Sequence, residues 1–487
     1  MTDRQVEQQE RSHAESDVPL TARTILVVSD LHLSAGIDPR TRRYDPRENF
    51  VAGRAFRRFI DYHLPSQPGD ALLILNGDIF DFLRVIRVPR SVKDFSEWSA
   101  ALKAVDREYP PDRLTLTVSR WERWFGLRTN DFKTIWKLDR IARGHQSFFA
   151  ALARWLRAGG SIAFIKGNHD VELYWPLVQL GIRRHIARHD EKAPGEDRIE
   201  FHQDWLGVHN VYIEHGHQFE PVTRVSGTAT LPGDREIRLP LGSLINRYII
   251  NKLEGIDPFL DNIKPVQSLL WTLVRRHPIK AIEILWRGVP LLRRAFKPYF
   301  FRATLGFAVF VASIVIPFVT VVSVALYFVL PPFRDVVTGV FRGPWSRAAV
   351  SIAGVVAPWI FGAARDLWPK KKPPHGENEY GHGIYERLLK FECPQCARKY
   401  GIVGHTHAMD VQYLGDMDST EAFYLNSGSW APRWPEDRPD LAGQVEYSFL
   451  EFTRNTNGEY RHRSLEWRDD RNEPAEAKIL NLRGRAP

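Results

Sequence analysis

The sequence is poor in sulfur: of 487 residues, two are cysteine and three are methionine. Cys393 and Cys396, in CPQC, exclude a disulfide framework, and so low a count fits a reducing compartment. CxxC is half of a zinc knuckle or a redox motif. No second CxxC completes four sulfur ligands, so the expectation is a turn before the following strand. The first twenty residues, MTDRQVEQQERSHAESDVPL, lack the apolar core of a signal peptide and read as a disordered polar tail. No internal repeat and no low-complexity tract is present, which removes solenoid and fibrous classes.

Hydrophobic residues make up 44% and charged residues 26%, an ordinary globular mixture over a length sufficient for one large domain with an insertion, or for two or three domains. The net charge of +9 is concentrated in one place. Between Lys264 and Arg302 there are nine Lys or Arg and a single acid, Glu283, so nine minus one leaves +8 in that segment. Directly after it, Thr304 to Leu330 runs without a charged residue, long enough to span a bilayer. A basic block before an apolar span reads as a cytoplasmic, lipid-facing flank. Its Leu, Ile and Trp residues argue against the competing nucleic-acid surface, and no nucleic-acid partner is expected.

TILVVSD (Thr24 to Asp30), ALLILNGD (Ala71 to Asp78) and SIAFIKGNHD (Ser161 to Asp170) are apolar runs ending in polar residues, the pattern of buried parallel strands. Helical stretches between them, Glu48 to His63 and Leu138 to Ala158, argue for an α/β sheet. IEFHQDW, VYIEHGHQF, KYGIVGHTH, EAFYLNSGSW and VEYSFLEFTR are shorter and more alternating, and suit a second sheet. The expected organisation is a polar tail over 1–22, a first part of the main domain over 23–221 with a cap at 83–136, a basic and membrane-associated insertion over 222–374, a second part over 375–467, and a polar tail over 468–487.

Several strand-like runs end in metal-ligating residue types: Asp30 and His32 in SDLH, Asp78 in NGD, Asn168 and His169 in GNHD, His215 in EHGH, and His405 and His407 in GHTH. One such triplet is a common surface turn. Five of them, each after a β-like run, converge where α/β proteins place their sites. His145, His202, His209 and His217 fall outside these blocks and read as structural or surface residues, with His217 near enough to His215 to touch a substrate.

SDLH, GDIFD, GNHD, HGH and GHTH, in that order, resemble the signature of the calcineurin-like metallophosphoesterase family, and NSGSW (Asn426 to Trp430) resembles a segment often found after its last block. The similarity covers Thr24 to Glu220 and Tyr380 to Trp467. It implies a four-layer αββα sandwich holding two divalent metal ions. Carried over, Asp30, His32 and His407 hold one ion, Asn168, His215 and His405 hold the other, and Asp78 bridges them. His169 is then the catalytic histidine that binds no metal, oriented by Asp81. Mixed imidazole and carboxylate ligands favour manganese, iron or zinc over magnesium, with manganese expected. Two such ions can share a hydroxide and clamp a phosphoryl group for in-line attack.

Because the resemblance assigns His215 and His405 to one ion, complete membrane crossings between them must then be even in number. Ala348 to Ala364 either returns as a second helix, or Pro317 and Pro358 break both runs into re-entrant pieces. The alternative is two buried helices of a soluble insertion. The expected protein is a phosphoesterase on the cytoplasmic side of the cell membrane, in contact with membrane lipids and acting on a lipid-linked or other small phosphate ester. An anchored nucleotide phosphodiesterase or phosphatase, and a scaffold with a vestigial metal site, are the alternatives. SDLHLS is also similar to the start of the UDP-diacylglucosamine pyrophosphatases, though GNHD stands where those have Asn-Arg-Asp.

Overall fold

The computed structural model describes residues 22–39, 41–106, 116–190, 196–225, 229–231, 236–251, 379–393, 396–417, 419–432, 443–477 and 482–483. The chain divides into two units, Met1–Pro278 with Asn378–Pro487, and Ile279–Glu377. The second unit, with the apolar runs of Thr304 to Leu330 and Ala348 to Ala364, lies outside the described residues. Among the described residues no helix is long and apolar enough to cross a membrane.

The first unit is an α/β structure with two mixed sheets. Strands β1 (Thr24–Val28), β2 (Ala71–Asn76), β3 (Ser161–Ile165) and β4 (Ile199–His202) lie side by side in parallel. The sheet is extended antiparallel from β1 by β10 (Ser448–Arg454), β11 (Tyr460–Arg468) and β12 (Glu473–Glu476). In the second sheet, β6 (Val211–Glu214), β7 (Arg398–Val403) and β9 (Thr420–Asn426) are parallel, with β5 (Trp205–Val208) and β8 (Asp410–Met417) antiparallel at their flanks and β13 (Leu482–Arg483) beyond β8.

The continuous apolar runs follow from burial on both faces. Alternate residues of one strand enter different cores, as the two-residue period of a strand requires. Leu26 and Val28 of β1, Leu73 and Leu75 of β2, and Ile162 and Phe164 of β3 pack toward helices. Their neighbours Ile25, Val27, Leu72, Ile74, Ala163 and Ile165 pack toward the second sheet, against Val211, Ile213, Tyr400, Ile402, Phe423 and Leu425. The opposite faces of those second-sheet strands, through Tyr212, Val403, Ala422 and Tyr424, meet Ile384 and Leu388 of the helix Glu379–Lys390.

Five helices cover the outer face of the first sheet: α1 (Gly53–Tyr62), α2 (Val92–Val105), α4 (Asp131–Gly144), α5 (Gln146–Arg157) and α6 (Pro176–Ala187), while α3 (Arg120–Phe125) lies in the cap segment. Spacing of Ala55, Phe56, Phe59 and Ile60 places one stripe of α1 in the core. Trp98 of α2 and Trp136 of α4 are fully buried in the same cluster, so the cap region shares its core with the main helical layer.

Four expectations change. IEFHQDW and VEYSFLEFTR supply β4 and β10, which belong to the first sheet: β4 continues the parallel set beside β3, and β10 pairs antiparallel with β1. The single helix expected over Leu138 to Ala158 is two, because His145 leaves helical geometry at φ −123° and ψ 43° and bonds Glu48 at 2.9 Å. The segment 468–487 contributes β12 and β13 to the sheets. CPQC does precede β7 as a turn, with the Cys396 amide donating to the Cys393 carbonyl, but the structure also joins the two sulfurs as a disulfide.

Candidate metal centre

The loops leaving β1, β2, β3, β6 and β7 all start at the C-terminal ends of parallel strands, on neighbouring edges of the two sheets. The loops are laced together by backbone bonds. The amides of Asp30 and His32 donate to the carbonyls of Gly77 and Asp78, and the amide of Gly404 donates to the His215 carbonyl. Close approach is enforced by glycine. A Cβ on Gly77, which has φ +74°, would lie 2.3 Å from the His215 ring, and one on Gly167 would lie 2.2 Å from Oδ1 of Asp78. Asp30, His32, Asp78, His405 and His407 all have positive φ, between 51° and 65°. That conformation is uncommon outside glycine, and its clustering marks a site where local strain is held by the surrounding structure.

Three trios of donor atoms result here, each within 4.8 Å: Asp30 with His32 and His407, Asp78 with His215 and His405, and His32 with Asp81 and His169; the first two hold the implied metal ligands. Nε2 of His407 is 3.3 Å from Oδ1 of Asp30, and Nε2 of His215 is 3.2 Å from Oδ2 of Asp78. The same Oδ2 of Asp78 is 3.9 Å from Nε2 of His32, so this carboxylate stands between the first two trios. The His215 ring donates from Nδ1 to the Asn76 carbonyl at 2.9 Å, which turns Nε2 inward. Nε2 of His215, Oδ1 of Asp30 and Oδ1 of Asn168 are buried without a hydrogen-bond partner. Buried polar atoms left unpaired are costly in a protein interior, and imidazole, carboxylate and amide oxygen are together a ligand set that suits a pair of borderline divalent cations. The residues fit the two ions that the family resemblance implies.

His169 lies beside this cluster. Its amide donates to Oδ1 of Asp78 at 2.8 Å, and its ring bonds Oδ2 of Asp81 through Nδ1 at 2.9 Å. Asp81 also approaches Nδ1 of His32 at 3.6 Å and the Arg84 guanidinium at 3.0 Å. Burial opposes charge on His169, but the Asp81 and Asp78 carboxylates outweigh it and raise the ring to about 9. Burial likewise opposes charge on His215, and Asp78 raises it to about 10. Against the same burial, His215 and His169 hold Asp78 well below the usual carboxylate range, and His407 lowers the Asp30 carboxyl. A cation held at Nε2 of His215 would take the place of the proton that Asp78 stabilises there.

Several supporting residues had no separate place in the sequence reading. Asp170, the last residue of GNHD, accepts the amides of Gly167 at 2.6 Å and Ile79 at 2.9 Å, stapling two loops together. Burial and then the neighbouring Asp78 push its carboxyl up to about 7. Glu220 meets Nε2 of His405 at 3.2 Å and also bonds the Tyr380 hydroxyl. Ser243 bonds the Asn168 carbonyl at 3.1 Å. Of these, only Asp170 carried a signal, through its position two residues after Asn168. In NSGSW, the Asn426 amide group donates to the Gly404 carbonyl and the Ser429 hydroxyl to the Asp30 carbonyl, bracing the first and last ligand loops. His217 is buried with its ring 5.5 Å from that of His215, while His145 bonds Glu48 and His202 bonds Glu200.

No family model matches the chain, and no curated protein matches it. The geometry defines a buried polar centre of imidazoles and carboxylates able to hold divalent cations.

Proposed function

We propose that the chain is a metal-dependent phosphoesterase of the calcineurin-like class, a four-layer αββα sandwich with a membrane-associated insertion. Its substrate is a lipid-linked or amphiphilic phosphate ester reached from the cytoplasmic face of a membrane. The position of Asp78 between two ligand trios is the observation that carries this function. A ligand shared by two cations needs a full negative charge and two oxygens, and Asp78 supplies both.

Asp30, His32 and His407 would hold one ion, Asn168, His215 and His405 the other, with Asp78 between them. When bound, two divalent ions lower the pKa of water toward neutrality and neutralise charge on a phosphoryl group. His169 keeps Nδ1 on Asp81 and leaves Nε2 to donate a proton to the leaving oxygen or to bind the phosphoryl group. Asp81 fixes the tautomer and the ring plane of His169.

The basic block from Lys264 to Arg302 and the apolar run that follows it support membrane contact. The rings of His215 and His405 are 5.4 Å apart, so both ends of the intervening chain lie on one side of any membrane it enters. Tethering there concentrates an amphiphilic substrate around the centre.

Hydrolysis of p-nitrophenyl phosphate and of bis(p-nitrophenyl) phosphate tests the chemistry. Detergent-purified full-length protein with added manganese should turn over at least one of them. Asp78→Asn should abolish turnover, and His169→Ala should lower kcat by roughly 100-fold with two metal ions still bound. Turnover undiminished in Asp78→Asn would overturn the assignment. A preference for substrate carried in lipid micelles over the same headgroup in solution tests the amphiphilic class.

A further inference from the structure

A second cluster of metal-ligating side chains lies away from the ligand loops. Cys393, Cys396 and His209 offer two sulfurs and an imidazole nitrogen within 4.8 Å of one another. Nδ1 of His209 is 3.9 Å from Sγ of Cys396. The cysteines precede β7, whereas His405 and His407 follow it. Six residues of strand put about 20 Å between the two sites. Neither cysteine nor His209 has a place in the proposed phosphoesterase chemistry.

The cluster is built rather than incidental. His209 sits at the tip of the β5–β6 hairpin with φ 52°, a strained backbone for a residue with a side chain. Its neighbour Asn210 is fully buried and pins that tip. The Asn210 side-chain amide donates to the carbonyls of Arg398 at 3.0 Å and Tyr460 at 3.1 Å, its side-chain oxygen accepts the Tyr460 amide at 2.9 Å, and its backbone carbonyl accepts the Tyr400 amide at 3.0 Å. This anchoring holds His209 over the start of β7, where the cysteines lie. Cys396 is buried and its carbonyl accepts the Thr420 hydroxyl at 2.8 Å, so the second sulfur is placed by β9 as well. The Cys396 amide donates to the Cys393 carbonyl, closing the i to i+3 turn that aims two thiols at one point.

We propose that Cys393, Cys396 and His209 form a redox-gated zinc site, distinct from the catalytic centre. In the disulfide form the sulfurs are bonded to each other and are not thiolate ligands. A dithiol reductant transfers two electrons, breaking the S–S bond to give two thiols while the reductant becomes a disulfide. A zinc ion then takes two thiolates and the imidazole, releasing two thiol protons, with water in the fourth tetrahedral position. Three protein ligands and one water make the site exchangeable. A disulfide oxidant that accepts two electrons and leaves as a dithiol rejoins the two sulfurs, and the zinc ion, having lost both thiolate ligands, is released.

Cobalt substitution reads this site separately from the imidazole and carboxylate centre, because only thiolate ligands give sulfur-to-cobalt charge-transfer absorption. Full-length protein in detergent would be reduced with a phosphine, its two free thiols counted, and titrated with cobalt, then with zinc. The expected result is a charge-transfer band that saturates at one equivalent bound to the thiolates, is bleached by zinc, and is absent before reduction. Asp78→Asn should keep the band, which separates this site from the phosphoesterase assignment. His209→Asn should lose or strongly weaken it, and asparagine tolerates the left-handed backbone at that position. An unchanged melting temperature of the apo variant would show that its fold survives. A fully reduced wild-type protein with no such band, or a band undiminished in His209→Asn, would overturn the proposal.

Discussion

Asp81 binds Nδ1 of His169 at 2.9 Å while its own charge is held by Arg84 at 3.0 Å, so a buried guanidinium steadies the carboxylate that steadies the histidine. Asp81→Asn keeps the shape but removes the charge that orders the ring and also contacts His32. It should lower kcat on a phosphate ester by roughly 10- to 100-fold with a smaller change in KM. Steady-state kinetics alongside metal content by mass spectrometry would check this. A loss confined to KM would mean that Asp81 acts on substrate binding instead.

Gly167 has no room for a methyl group, since its Cβ would meet Oδ1 and the backbone nitrogen of Asp78 at 2.2 and 2.5 Å. Gly167→Ala should push Asp78 out of line between the trios. Metal content should fall, with a stability loss of about 1–3 kcal/mol from overpacking. Elemental analysis and urea denaturation of the same preparation would separate the two effects. Full metal occupancy in this variant would show that the loop relaxes freely.

Lys137 and Glu172 form an ion pair at 2.8 Å with both side chains at 1% exposure or less, beneath the helical layer. Burial pulls the lysine pKa down, and Glu172 opposes it. Removing one partner strands a charge, so Lys137→Met should cost about 3–5 kcal/mol, and the double variant with Glu172→Leu should recover much of it. Denaturation midpoints of the two single variants and the double variant form the cycle that measures the coupling.

His63 caps α1 among Phe59, Phe449 and Trp467, with Nδ1 on the Phe59 carbonyl. Burial lowers its pKa to about 4. The folded state therefore prefers the neutral ring. Its contribution is complete above the unfolded value of 6.5 and is lost as the pH falls toward 4, because the unfolded chain binds the proton more readily. The slope from this group is at most about 1.4 kcal/mol per pH unit. His63→Phe should flatten the decline of melting temperature between pH 6.5 and 4, and an unaltered decline would exclude the group as its source.

Much of the first sheet was legible because its strands are buried on both faces and so read as plain apolar runs: TILVV, ALLILN and SIAFI each became a parallel strand. The assignment of β4 and β10 failed because alternation reports which faces are buried, not which sheet a strand joins; that choice lies in long-range pairing with β3 and β1. The break at His145 was hidden for a similar reason. Gln146 to Arg157 continues the apolar helical pattern, and only the distant Glu48 shows why the chain turns there. At the site, the candidate ligands were named from residue type and order, and the fold brings Asp30, His32 and His407, and Asp78, His215 and His405, within reach of one another. Glu220, Ser243 and the bracing by Asn426 were not readable, since each acts through a contact far along the chain and follows no local pattern.

The neighbouring strands β6 and β7 are separated by more than 180 residues of sequence, and each leads into part of the same centre. Closing so long a loop adds only slowly to the entropic cost, because that cost grows with the logarithm of length. Its larger consequence is temporal. During synthesis, the ribosome releases His215 long before His405 and His407, so the early chain carries an unpaired edge at β6 and half of the proposed cation site. The proposed centre can be completed only after His407 has emerged, so its metal loading would follow the synthesis of both sheets' ligand loops.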